Sequence, residues 1–242
     1  MNILLTGCTS GLGYELSLLL QKDEQNNLFL ISKNKKKLNE FKRFKNAKLY
    51  NLDLKNSKKV DIVTKKILRD SKKSIDIIIC NAAHPTSGSI KNTPYDAFKK
   101  DLDINFFSNL IIIKNILPTM IKRREGHIIN ISSGAAIIGL KNLSSYSVSK
   151  SAMQILFESA RNEFLPFNVY FKNFFPGTMN TGFEKKTKKY GQFEKLQIKK
   201  QSVEKVAVKI LKSLYTKKFN NFVSATTMAS FLLKSMPSIN KF

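Results

Sequence analysis

The stretch Asn2-Ile-Leu-Leu-Thr6-Gly7-Cys8-Thr9-Ser10-Gly11-Leu12-Gly13 decides how this chain folds. Residues 2–6 have strand character and run straight into a glycine-spaced turn, after which a stretch of helical length begins. Glycines at such a turn let the backbone bend tightly and approach a pyrophosphate, whose charge the next helix N-terminus stabilises. The spacing is G-x-x-x-G-x-G. A glycine triplet alone describes a plain tight turn equally well. Its position between the first strand and the first helix assigns it to phosphate binding.

Outward from this turn, short apolar runs alternate with amphipathic stretches. Strands are expected over 2–6, 27–31, 47–52, 75–80, 126–132, 168–174 and 219–224, and helices near 12–21, 35–43, 56–70, 94–121, 145–165 and 202–215. The strand candidates are apolar on both faces, as in a parallel sheet covered by helices on each side. This β-α alternation implies an α/β, doubly wound sheet. No repeat, low-complexity linker or shift in composition divides the chain, so residues 1–242 read as a single domain. Pro118, late in the long fourth helix, should kink or end it.

The chain has 242 residues and a formal charge of +25, from 37 Lys and 5 Arg against 17 acidic residues. Lysine is a hydrated point charge, whereas base-reading proteins lean on the arginine fork. The basic residues are also spread along the chain, so the charge reads as a solvated surface; nucleic acid and an anionic membrane are the lesser readings. Cys8 and Cys80 end apolar runs and read as buried small residues, consistent with a reducing cytoplasm. No signal peptide is visible, and no apolar stretch approaches the roughly 20 residues that span a bilayer.

At the end of the second strand, dinucleotide-binding proteins usually place a carboxylate for the ribose 2′-OH. Here the strand ends Ile31-Ser32-Lys33-Asn34, with no carboxylate and a lysine beside the expected place. Residues 33–48 carry seven Lys, one Arg and one Glu. The pattern suits a 2′-phosphate, hence NADP(H) over NAD(H), although a solvated helix face would look similar.

Tyr146-Ser147-Val148-Ser149-Lys150 carries the chemistry. Residues four apart on a helix share a face, so a phenol and an ammonium can reach one site. A nearby cation should lower the tyrosine pKa and fit it for acid-base work on a carbonyl or alcohol oxygen. Upstream, a strand ends Asn130-Ile131-Ser132-Ser133, at the edge where open α/β sheets bind ligands. Ser133 would steady the substrate oxygen, with Ser132 more a structural neighbour.

With these motifs in place, the sequence resembles the short-chain dehydrogenase/reductase family over essentially its whole length. The T-G-x-x-x-G-x-G loop is Thr6 to Gly13, and the third-strand aspartate is Asp53 in Leu52-Asp53-Leu54. The N-A-G segment is Asn81-Ala82-Ala83, with alanine in place of the usual glycine. The fourth-helix asparagine is Asn105, and the P-G turn is Pro176-Gly177, followed by Thr178 and Thr181. The resemblance implies a single Rossmann-type domain with strand order 3-2-1-4-5-6-7 and a catalytic tetrad of Asn105, Ser133, Tyr146 and Lys150. It also implies that Lys150 binds the nicotinamide ribose, that Asn105 holds a relay water, that Asp53 contacts adenine, and that residues 176–181 cover the nicotinamide. The implied activity is NADP(H)-dependent oxidoreduction of a small carbonyl or alcohol, in a homodimer or homotetramer. A non-catalytic dinucleotide sensor or scaffold is the alternative, and the intact Tyr, Lys and Ser argue against it.

His84 reads as a surface-loop residue, with a place in the substrate cleft as the second option, and His127 as structural. No Cys/His/carboxylate cluster has metal-ligand spacing. Residues 183–200 hold seven Lys in 18 positions and form the expected substrate lid; one reading is a preference for an anionic substrate, and the favoured one is that exposed lids simply collect lysines. Residues 225–242 form an apolar C-terminal extension, expected to cap the cleft or an oligomer interface in preference to touching a membrane.

Overall fold

The computed structural model describes residues 1–181, 187–190, 200–214, 216, 218–222, 227–229 and 232. Its strands are β1 (Asn2–Thr6), β2 (Asn27–Ser32), β3 (Ala47–Asn51), β4 (Ile77–Cys80), β5 (Thr86–Gly88), β6 (Gly126–Ile131), β7 (Val169–Phe175), β8 (Lys188–Tyr190) and β9 (Asn220–Phe222). The helices are α1 (Gly11–Leu20), α2 (Lys35–Asn39), α3 (Ser57–Asp70), α4 (Tyr95–Leu102), α5 (Ser108–Arg123), α6 (Gly134–Ile137), α7 (Ser144–Phe164) and α8 (Val203–Ser213). Seven strands make one parallel sheet in the order β3-β2-β1-β4-β6-β7-β9. Counting those seven along the chain, this is the expected 3-2-1-4-5-6-7, a Rossmann-type sheet.

Strand periodicity explains why both faces are apolar. Ile3 and Leu5 of β1 point to a core shared with α1 and α8, whereas Leu4 between them points to a core shared with α3, α5 and α7. The same alternation runs through Ile77 and Ile79 against Ile78 and Cys80 on β4. Each helix then needs one apolar face. On α8, Val203, Val206, Ala207 and Ile210 supply it at three- and four-residue spacing. Cys8 and Cys80 are buried in these cores, as expected. Burial raises both thiols to about 12, so they stay protonated at neutral pH.

Three expectations need correction. Of the two outcomes expected at Pro118, a kink or an end, the second is excluded, since α5 continues to Arg123. The interruption lies earlier, where the stretch expected as one helix over 94–121 passes through a π turn at Asp103–Phe107. There the Ser108 amide reaches the Asp103 carbonyl, one residue further back than in an α-helix. Thirdly, Tyr95–Arg123 taken end to end is long and apolar enough to cross a bilayer, with a mean hydropathy of 1.4 in its most apolar window. It packs in the fold, with Ile112, Ile113 and Ile116 in the second core.

The small sheet β5-β8 is absent from the sequence reading. β8 lies within the expected lid, where residues 188–190 pair in parallel with Thr86–Gly88. Lid residues 183–186 and 191–199 lie outside the described residues, as do 225–226, 230–231 and 233–242 of the C-terminal extension.

Candidate active site

A cleft of about 940 Å3 runs along the C-terminal ends of the parallel strands. Its walls are the residues that follow each strand: the glycine loop after β1, Ser32-Lys33-Asn34 at β2, Asp53-Leu54 after β3, Asn81-Ala82-Ala83 after β4, Ser132-Ser133 after β6 and Pro176-Gly177-Thr178 after β7. Strand order reverses between β1 and β4, the place where open α/β sheets leave a crevice for ligands.

The first turn sits at this crossing. Gly7 has φ +72°, and a Cβ there would lie 2.8 Å from the Ala82 Cα. A Cβ on Gly13 would collide with the Gly7 carbonyl oxygen. Thr6 and Gly13 therefore shape the loop and do not line the cleft. The Thr6 hydroxyl accepts from the Asn81 and Ala82 amides at 3.1 and 3.0 Å, tying β1 to the loop after β4. Thr9, Ser10, Gly11 and Leu12 face the cleft. Ser10 begins α1 without a side-chain cap, and the first turn of α1 has no acidic residue. Its amides are left to an outside acceptor, so this end of the cleft fits the pyrophosphate of a dinucleotide.

At the adenine end, the Thr9 and Ser32 hydroxyls are hydrogen-bonded at 2.7 Å. Asn51 Nδ2 donates to the Ser32 and Lys33 carbonyls at 3.1 and 3.0 Å, which holds the turn after β2. Lys37, one turn into α2, joins Lys33 on the cleft wall, a residue the sequence reading did not single out.

At the other end, α7 carries Tyr146 and Lys150, both buried. Lys150 Nζ donates to the Ile131 carbonyl at 2.7 Å, and the ammonium lies 6.0 Å from the Tyr146 ring centre. Burial pushes the lysine down to about 8. The tyrosine moves opposite to the expected direction. Burial raises its pKa, with a smaller rise from the Asp101 carboxylate, while a hydrogen bond with Ser133 works the other way. Desolvation of the phenolate, and not the cation four residues on, sets the direction. Ser133 also caps α6, its Oγ accepting from the Ala135 amide at 3.2 Å. The neighbouring Ser132 hydroxyl faces the cleft, buried and without a hydrogen-bond partner among the described residues.

Asn105 does not line the cleft. Held in the π turn, it clamps the loop after β4 from behind. Its Oδ1 accepts from the His84 amide at 2.7 Å, and its Nδ2 donates to the His84 carbonyl at 3.0 Å and to Ser149 Oγ at 2.8 Å. Ser149 in turn donates to the Tyr146 carbonyl at 2.8 Å. The Asn105 carbonyl accepts from Asn109 Nδ2 at 3.0 Å. Asn105 thus joins the loop to the helix that presents Tyr146.

Three residues the sequence reading set aside or missed belong to this end. His84 lines the cleft, and its ring meets the fully buried Asp101. The signal for Asp101 was its register, since with Ala97 it falls on the buried face of α4 and a carboxylate there needs a partner. Thr227 lines the cleft, its hydroxyl donating to the Phe175 carbonyl at 3.1 Å, which brings the start of the C-terminal extension to the site. His127 stacks on Tyr170 at the far end of β6, as a structural residue would. Among the described residues no cluster suits a metal ion.

Known proteins share this fold. The short chain dehydrogenase family model matches residues 1–191. A protein of Xenopus laevis, dehydrogenase/reductase SDR family member 7B, is 28% identical over 255 residues, covering 98% of this chain and 78% of that one. A Burkholderia cenocepacia short chain dehydrogenase solved in complex with NADP superposes with a TM-score of 0.81 at 21% identity, over 96% of this chain and 91% of that one. A Burkholderia phymatum short chain dehydrogenase/reductase in complex with NAD gives 0.83 at 15% identity, over 96% and 92%. The fold is therefore common to proteins solved with either dinucleotide. This chain belongs to the short-chain dehydrogenase/reductase family of oxidoreductases.

Proposed function

We propose that this chain is an NADP(H)-dependent carbonyl reductase or alcohol dehydrogenase in which Tyr146 is the general acid and base. One observation carries the reading: Tyr146, Ser133 and Lys150 meet on the wall of the same cleft whose other end offers the free helix N-terminus. A nicotinamide dinucleotide bound along that cleft supplies or accepts the hydride.

The residues divide the remaining work. Burial keeps the Tyr146 phenol protonated through neutral pH, the form that gives a proton to a carbonyl oxygen during reduction. The Ser133 hydroxyl, already bonded to Tyr146, holds that same oxygen as negative charge builds on it. The phenolate left behind lies close to the Lys150 ammonium, which stabilises it until a proton returns. Asn105 sets the position of α7 through Ser149, and Pro176, Gly177, Thr178 and Thr181 on the cleft wall would hold the nicotinamide. The absence of a carboxylate at the end of β2, with Lys33 and Lys37 on the wall, supports a 2′-phosphate and so NADP(H). Val148 and Ile155, exposed on α7 seven residues apart, suit a homodimer or homotetramer built through that helix.

An NADPH-oxidation screen over ketones, aldehydes, thioester-linked β-ketones and keto-sugars, with NADH in parallel, tests the reading. Turnover with NADPH preferred is the expected result. Tight cofactor binding with no turnover of any carbonyl class would favour the sensor alternative.

A further inference from the structure

The imidazole of His84 is held with more care than a loop side chain needs. Its Nδ1 lies 2.7 Å from Asp101 Oδ1, and the His84 side chain is 14% exposed while that of Asp101 is fully buried. The same carboxylate accepts from Thr86 Oγ1 at 3.0 Å and from Ser145 Oγ at 2.7 Å. A carboxylate taking three hydrogen bonds in the interior is anchored as an acceptor, and it requires the imidazole to carry its proton on Nδ1. The His84 backbone is fixed as well, with both its amide and its carbonyl on the Asn105 side chain. Ser145 immediately precedes Tyr146, so one carboxylate ties the histidine to the helix bearing the reactive phenol.

This arrangement leaves the other ring nitrogen to the cleft. Among the described residues nothing hydrogen-bonds to Nε2, and the cleft that His84 lines also has the apolar Pro85, Ile138, Leu140 and Leu143 on its wall. We infer that His84, oriented by Asp101, is a substrate-anchoring residue whose Nε2 accepts a hydrogen bond from a hydroxyl group carried near the reacting carbonyl. The substrate class is therefore a hydroxyketone, or in the reverse direction a diol, with an apolar remainder. This inference rests on the reading of Tyr146 as the acid that serves the same substrate.

Two measurements on the full chain separate the anchor from that reading. The chain has two histidines, so imidazole 15N resonances can be assigned with a His127→Phe variant. His84 should report the Nδ1-protonated tautomer, and Asp101→Asn should abolish that preference. With NADP+ present, phenyl ketones bearing a hydroxyl one, two or three carbons from the carbonyl are added, each beside its deoxy partner. At least one hydroxylated member should shift the Nε2 resonance while its partner does not. Equal shifts from both members of every pair, no shift at all, or the opposite tautomer would each overturn the anchor. In NADPH turnover, His84→Leu should raise KM for the responding hydroxyketone about ten-fold more than for its partner, the size of one lost hydrogen bond. His84→Gln, which restores a polar atom near the Nε2 position, should recover part of that difference. Equal losses in both members would make the dyad a purely structural pin. If the wild type reduces no ketone, the Tyr146 reading fails while the resonance shifts still decide the anchor.

Discussion

The two ends of the cleft are built from different materials. At the dinucleotide end, after β1, the donors are the amides of a glycine turn and a helix N-terminus, and the lysines on its wall, Lys33 and Lys37, are exposed. At the carbonyl end the work falls to buried side chains: Tyr146, Lys150, Asn105 and Asp101, each 8% exposed or less. A backbone site tolerates most substitutions because side chains are not its ligands, but it fails when a Cβ intrudes. A side-chain site fails when one functional atom is removed, even if the shape stays the same. The difference also explains the opposite electrostatics: phosphate charge is met at a solvated rim, whereas the interior shifts the phenol and the ammonium toward their neutral forms.

The largest expected effect removes one oxygen from the carbonyl end. Tyr146→Phe should fold, bind NADPH and lose turnover by roughly 10²–10⁴-fold, the scale of a missing general acid. Steady-state kinetics beside a fluorescence titration of NADPH would check this, and near-normal rates would break the contrast between the two ends. Next is a steric test of the backbone end. Gly13→Ala drives a methyl group into the Gly7 carbonyl, at a cost of about 1–3 kcal/mol for overpacking. A lower Tm and weaker NADPH binding should follow, in thermal melts with and without cofactor. An unchanged affinity would mean that the turn is not the phosphate cradle.

A third test concerns the rim. Ser32→Asp with Lys33→Ala should shift the NADPH:NADH ratio of kcat/KM toward NADH by about ten-fold or more, the scale of one charge-assisted hydrogen bond. A constant ratio would place recognition of the 2′-phosphate elsewhere. The smallest effect lies at the other end of β6. Burial, helped by the Lys172 charge, lowers His127 to about 4 from its ordinary 6.5. Its folded pKa is below its unfolded one, so the unfolded chain binds the proton first. Stability should therefore fall as pH drops from about 6.5 to about 4. His127→Phe, which keeps the stack on Tyr170, should remove about 1–2 kcal/mol of that fall after solvent screening, measured by urea melts at pH 7 and pH 4.5. Identical slopes would show that His127 is already solvated.

Particular residues show how much was legible. The sheet was readable because each strand repeats apolar residues on two faces, as Ile77, Ile78 and Ile79 do. The glycine turn was readable from its place between the first strand and the first helix, although the atom that bars a Cβ on Gly7, the Ala82 Cα, lies on another loop. Asn105 was readable as a motif, yet its place behind the cleft was not, because it depends on the π turn at Asp103–Phe107. Pro118 was readable as a disturbance but not as one the helix survives, since α5 runs on to Arg123 past the missing hydrogen bond. His84 looked like a loop residue because its partner, Asp101, lies 17 positions away on another element.

The sequence by itself determined the parallel sheet, the glycine turn after β1, the family and the set of polar residues brought to the strand ends. The sheet and the turn follow from periodicity and spacing, which neighbouring residues enforce, and the family and its polar set from motif resemblance. Only the tertiary structure decided that Asn105 clamps the His84 loop, that Asp101 orients the imidazole, and that burial raises the Tyr146 phenol despite its hydrogen bond with Ser133. Those outcomes depend on which distant groups share one low-dielectric space, and a linear pattern does not contain that information.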